Sequence, residues 1–177
     1  MSSAVKKQVY TYDDIYRLPE GSYEIIDGEK HDMTPTGFEH GNIEGKLYEL
    51  LTRHLKGKGH VAVGEVGILI SKNPLRLRAA DVVYISKEKA PERPKGMLET
   101  PPDLVIEIIS ESNTAWEMMG KVKDYLSIGV ERVALIDPLT QTISLYQKGR
   151  KEALLYNFDE DVPLFADLTV RMKDVLA

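Results

Sequence analysis

Pro102-Asp103-Leu104-Val105-Ile106-Glu107-Ile108-Ile109-Ser110 is an apolar run with two acids written into it. Its β-branched and leucine residues, bounded by Pro101-Pro102 and by Ser110-Glu111-Ser112-Asn113, predict a buried strand. Side-chain alternation then puts Asp103, Val105, Glu107 and Ile109 on one face. Glu107 falls mid-strand, flanked by isoleucines. An ionised carboxylate left alone in such a setting costs several kcal/mol, so the chain must supply a proton, a cationic partner or a metal.

Working outward, Thr114 to Ile128 predicts a helix with Met118, Val122, Tyr125 and Leu126 as its apolar stripe and Gly129 as its stop. Val133 to Ile136, ended by Asp137-Pro138, is the next buried strand. A helix between two strands makes them parallel neighbours. Upstream, Val61 to Ile70 and Arg78 to Ile85 are strand signals that should pair across Asn73-Pro74. From His40 to Leu55, Ile43, Leu47, Leu50, Leu51 and Leu55 recur at helical steps and predict one long amphipathic helix. Nearer the N-terminus, Thr11 to Leu18 predicts a short helix stopped by Pro19-Glu20-Gly21, followed by a hairpin turning at Asp27-Gly28. Ile143 to Tyr146 and Ala153 to Tyr156 suit a meander, and Leu164 to Leu176 a short strand and a helical turn. No repeat or linker divides residues 1–177, so a single α/β (α+β) domain is expected: a mixed sheet flanked by helices, with an N-terminal helix and hairpin.

With 177 residues and a formal net charge of -5, the chain suits a folded domain and not a general polyanion binder. Any contact with nucleic acid therefore needs a local basic patch. The absence of cysteine excludes disulfides, thiolate nucleophiles and cysteine-ligated zinc, and suits a reducing, cytoplasmic setting. Met1 to Gln8 lacks the apolar core of a signal peptide, and no apolar run reaches membrane-spanning length, so no membrane association is expected.

The partner for Glu107 is sought one strand earlier, where Asp81 interrupts Arg78-Ala79-Ala80-Asp81-Val82-Val83-Tyr84-Ile85. Two carboxylates on neighbouring strands suit a cation between them, and an oxygen-rich site suits magnesium or manganese. The same spacing also fits strand-end acids held by Arg76, Arg78 or a lysine. Lys121, on the helix that leaves the Glu107 strand, can point back to orient or deprotonate a water, or to offset phosphoryl charge. It can equally be a solvated surface residue. Lys123 competes with it but faces elsewhere. Lys72, Arg76, Arg78, Lys87, Lys89, Arg93 and Lys95 cluster around the Asp81 strand and its following loop, where they could draw a phosphate backbone.

Tyr23-Glu24-Ile25-Ile26-Asp27-Gly28-Glu29, His40 before a helix, Arg78 to Asp81, Pro101 to Glu107, Ser110-Glu111-Ser112, Lys121 to Tyr125, Gly129-Val130 and Asp137-Pro138 together resemble the Uma-type restriction-endonuclease family. That family lies in the PD-(D/E)XK nuclease superfamily. The resemblance implies a restriction-endonuclease-like fold and magnesium-dependent (or manganese-dependent) endonuclease cleavage of nucleic acid, DNA in the first place. By position it makes Asp81 and Glu107 metal ligands and catalytic residues, with Lys121 as a displaced catalytic lysine. Ile109 stands where the superfamily usually has that lysine, and Ala80 replaces the usual proline before the Asp. Glu44 is where an extra acid often sits, His40 could hold a phosphate or a water, Glu117 could orient Lys121, and Arg76 and Arg78 could bind substrate. The alternative expectation is a nuclease-fold binding or regulatory module without turnover, in which a homodimer is one form.

Overall fold

A computed structural model describes residues 8–18 and 20–177; Met1 to Lys7, and Pro19 in the first helix stop, lie outside the described residues. The Tyr12–Arg17 segment is a short 3-10 helix, its N-cap Thr11 paired with Asp14 in a capping box. β1 (Tyr23–Ile26) and β2 (Glu29–Asp32) form the expected hairpin. Asp27 and Gly28 both take positive φ there, the conformation a two-residue turn of this kind needs.

The rest of the order is α1 (Phe38–His54), β3 (Gly59–Lys72), β4 (Leu75–Ser86), β5 (Leu104–Ile108), α2 (Ala115–Ile128), β6 (Arg132–Asp137), β7 (Thr142–Gln147), β8 (Leu154–Asn157), β9 (Val162–Phe165), β10 (Leu168–Val170) and α3 (Met172–Leu176). One eight-stranded sheet runs β2-β1-β4-β5-β6-β7-β8, with β3 also paired to β4. Every pair is antiparallel except β5 and β6, which α2 joins as the predicted parallel crossover. Gly129 ends α2 in the left-handed conformation.

The sheet is covered on both faces. On one, Ile43, Leu47 and Leu51 of α1 pack with Val82, Ile106 and Ile136, and burying each such side chain contributes about 1.5–3 kcal/mol. On the other, Met118, Val122 and Tyr125 of α2 pack with Val83, Val105 and Val133. The C-terminal expectation of one short strand and a helical turn needs correction. β9 and β10 form a separate two-stranded sheet, because Val162, Leu164, Leu168 and Val170 bury together against the α1-side core. Among the described residues, no helix is long and apolar enough to cross a membrane.

The register along β4 leaves a gap at one of its edges. Leu77 of β4 pairs with Leu69 of β3 and with Ile25 of β1, while Val82 pairs with Val63 of β3 and Ile106 of β5. A strand residue has two edges, so β1 and β5 must share the same edge of β4. The edge is taken by β1 at Leu77 and by β5 from Val82, and the stretch from Arg78 to Asp81 between them has no strand partner on that side among the described residues.

Candidate active site at a gap in the sheet

Side chains satisfy the backbone where the strand partner is missing. Glu24 of β1 accepts from the Ala79 N–H at 3.2 Å, Lys121 of α2 donates to the Ala79 carbonyl at 2.9 Å, and Asp81 accepts from the Ile108 N–H at 2.6 Å. Buried backbone groups must be paired, so three charged side chains at one break are a structural necessity as well as a concentration of chemistry. The gap opens into a cleft of about 390 Å³ whose lining includes Glu24, His40, Arg78, Asp81, Glu107, Glu117 and Lys121.

On the α2 side, Glu107 is 2% exposed. Lys121 Nζ donates to its Oε2 at 2.9 Å and Tyr125 Oη to its Oε1 at 2.6 Å. Lys121 also lies 3.2 Å from Glu24, which Arg78 meets at 2.7 Å; the Arg78 Nε donates to Asp124 at 2.7 Å. The result is a buried network of alternating charge. Burial, with the nearby Asp81, pushes the Glu107 carboxyl up to about 7, against the opposing pull of Lys121 and Tyr125. Burial acts against the charge of Lys121, but Glu107 and Glu24 outweigh it and raise the lysine above its ordinary value.

A pH test follows from Glu107. Its folded pKa of about 7 exceeds the ordinary 4.5, so its contribution to stability is whole below 4.5 and is lost as pH rises through 7. Glu107→Gln removes that titration. Urea unfolding across the same interval should show the wild type losing up to about 3 kcal/mol more than the variant. Equal pH slopes for the two proteins would contradict the assignment.

On the α1 side, His40 Nε2 lies 3.3 Å from Asp81 Oδ1 and 3.8 Å from Glu44 Oε1. Both His40 ring nitrogens are buried with no hydrogen-bond partner among the described residues. The Asp81 carboxylate, working against burial, raises the His40 pKa, and burial together with Asp81 raises that of Glu44. One donor atom from each of His40, Glu44 and Asp81 lies within 4.8 Å of the others. Two carboxylates crowded around an unsatisfied imidazole fit a divalent cation that accepts oxygen and nitrogen ligands. Asp81 is the residue common to both halves of the cleft: it faces His40 and Glu44, and its charge is felt at Glu107.

The structure brings Asp81, Glu107, Lys121 and His40 to one cleft, with Glu44 beside His40 and Asp81. Lys121 reaches Glu107 whereas Lys123 is exposed and lines a different groove. Glu117 lines the cleft, but its carboxylate accepts from the backbone and hydroxyl of Thr114, making the capping box of α2; it makes no ion pair with Lys121. Arg76 and Arg78, read as substrate contacts, are engaged within the protein: Arg76 holds Asp27 and Asp124, and Arg78 holds Glu24 and Asp124. The basic cluster separates too. Lys72 pairs with Glu99 before β4 begins, and Lys89 pairs with Asp103 after β4 ends, a strand length of about 35–40 Å away at the usual rise per residue. Asp103 also accepts from the Ser86 N–H, as a strand-end acid would.

Glu24, Tyr125 and Asp124 join the same network, and sequence reasoning gave none of them a part in the site, reading Tyr125 only as apolar stripe. Glu24 carried a signal of the same kind as Asp81 and Glu107, an acid inside the apolar strand Tyr23-Glu24-Ile25-Ile26.

Comparison with known proteins places this architecture. Residues 9–171 match the family model Uma2, described as "Putative restriction endonuclease". A crystal structure from Anabaena variabilis, titled "putative nuclease belonging to DUF820", superposes with a TM-score of 0.80 at 21% identity, covering 94% of this chain and 97% of that one. At such identity the likeness carries the fold. No curated protein matches the chain.

Proposed function

The chain belongs to the Uma2 family, and from that membership we propose that it is a divalent-metal-dependent nuclease hydrolysing phosphodiester bonds of nucleic acid, DNA in the first place. The observation that carries the reading is the convergence of Asp81, Glu107 and Lys121 in one cleft with the unsatisfied imidazole of His40.

Asp81 would hold the cation, with His40 and Glu44 as its further ligands and Glu107 facing it from β5. Magnesium or manganese bound there would lower the pKa of an attacking water and offset charge on the phosphate. Lys121 stays protonated at neutral pH, since its pKa is raised, so its part is to donate hydrogen bonds and positive charge and not to remove a proton. Tyr125 and Lys121 each donate to one oxygen of Glu107 and so fix its carboxylate in the cleft lining. Glu24 holds Lys121 in place from the opposite side.

The test is incubation of purified protein with supercoiled plasmid, linear duplex, single-stranded DNA and RNA in magnesium or manganese, with and without chelator. Cleavage of at least one substrate that stops on chelation is expected. An inert protein on every substrate, with measurable nucleic-acid binding, would replace this reading with that of a binding module on the same fold.

A further inference from the structure

The main sheet ends at β8, whose outer edge meets no other strand among the described residues. An edge strand offers unpaired backbone N–H and C=O groups to any chain that can align with it, and folded proteins blunt such edges with charge or proline. β2, at another edge, is blunted in that way, since it reads Glu29-Lys30-His31-Asp32. β8 is not. It reads Leu154-Leu155-Tyr156-Asn157, with Leu154 45% and Leu155 69% exposed, so Leu155 in particular adds little to the core of its own chain.

The ladder with β7 fixes where the backbone of β8 points. Phe158 donates its N–H toward β7, to the Gln141 carbonyl at 2.9 Å, and the preceding N–H, that of Asn157, turns the other way to Glu160. Directions alternate along a strand, so the N–H and C=O of Leu155 point out of the free edge. Charge then selects the partner and its direction. Lys148, Arg150 and Lys151 precede β8 and Asp159, Glu160 and Asp161 follow it, all of them exposed, with Glu152 the one acid on the leading side. A second copy laid parallel would set like charge beside like. Laid antiparallel, about a two-fold axis at Leu155, it sets the basic flank of each copy against the acidic flank of the other. The same axis pairs Leu155 with itself, and Leu154 of each copy with Tyr156 of the other. Leu154 and Tyr156 share a face, opposite Leu145 and Ile143 of β7, so that cross-strand pair is apolar.

We propose that β8 is the edge through which two copies of this chain associate, antiparallel and with Leu155 on the two-fold axis, so that the two sheets continue into one. Cleavage has no part in this inference. Three strands lie between β4 and β8, so the two clefts of such a dimer stand about 40 Å apart at the usual strand spacing of about 4.8 Å, and each works alone.

Sedimentation velocity of the full chain, from micromolar to near-millimolar concentration, is expected to show a monomer passing into a dimer. Leu155→Lys puts two like charges on the axis and should raise the dissociation constant at least about tenfold, with melting temperature and cleavage per protomer unchanged. Lys151→Glu and Asp159→Lys should each weaken the dimer alone. An equal mixture of those two variants should recover it, because only the mixed pair has unlike charges at both ends. The chain has no cysteine, so Leu155→Cys supplies a single thiol. A hydrogen-bonded antiparallel pair holds its Cα atoms about 5.5 Å apart, within the span of a disulfide, and mild oxidation should link two copies. Leu139→Cys, 82% exposed in the turn between β6 and β7, should not crosslink. A wild type that sediments as a monomer throughout, a dimer untouched by Leu155→Lys, or equal crosslinking of the two cysteine variants would each overturn the proposal, whatever the protein does to nucleic acid.

Discussion

Asp81→Asn is expected to abolish cleavage while leaving the fold intact. Asparagine is nearly isosteric with aspartate, and its side-chain oxygen can still accept from the Ile108 N–H that Asp81 binds at 2.6 Å. What disappears is the negative charge shared by the two halves of the cleft, facing His40 and Glu44 and felt at Glu107. Loss of a charged metal ligand should weaken manganese binding, measured by calorimetry, by at least about 100-fold, on the upper side of what outer-shell changes cost. The cleavage rate should fall by at least about 1000-fold, or about 4 kcal/mol in the barrier. His40 would also lose the carboxylate that raises its pKa, so its imidazole should titrate lower in the variant, visible by proton NMR. A variant that cuts as fast as the wild type would remove Asp81 from the mechanism.

The second large effect concerns stability. Arg78→Met keeps an aliphatic stem of similar length but removes the guanidinium that joins Glu24 to Asp124. The Arg78 side chain is only 8% exposed, and both acids are buried. Breaking a buried ion pair by removing one partner leaves an uncompensated charge and costs about 3–5 kcal/mol. Here each acid keeps a second partner, Lys121 for Glu24 and Arg76 for Asp124, so the expected loss is about 3–4 kcal/mol at the lower end of that range. Urea denaturation at neutral pH measures it. A change below about 1 kcal/mol would mean that the network is solvated in solution and not the buried bridge described above.

Much of the fold is legible in local pattern. The hairpin at Asp27-Gly28, the amphipathic α1, the β5–α2–β6 crossover and its parallel pairing follow from turn chemistry and periodicity, and the structure has each of them. Acids inside apolar strands also marked the site, since Asp81 and Glu107 are costly unless something answers them. What answers them was less legible. Arg78 finds Glu24 and Asp124 at sequence separations of 54 and 46 residues, distances over which no local spacing rule speaks. The gap along β4 arises because two strands share one edge, which depends on the whole sheet order. The basic cluster spreads out for the converse reason: Lys72 and Lys89, close in sequence around a long strand, end up at its two ends, each with its own acid. Lys121 lay between these cases. Helical spacing pointed it toward the strand it leaves, and only the packing of α2 shows that it reaches Glu107 while Lys123 turns to solvent.

The same buried charges that cost stability assemble the proposed chemistry. Glu107 and Glu44 are held above their ordinary pKa by burial and by Asp81, and His40 is raised by that same carboxylate. Such crowding of perturbed groups in one cleft is the pattern expected where a cation is to be accommodated. Diffraction from crystals soaked in manganese, recorded where the metal scatters anomalously, tests that centre most directly. The account predicts an anomalous peak in the cleft touching a carboxylate oxygen of Asp81, and none in crystals of Asp81→Asn. Crystals of protein that cleaves nucleic acid in the same manganese buffer, yet show no peak at Asp81, would contradict it.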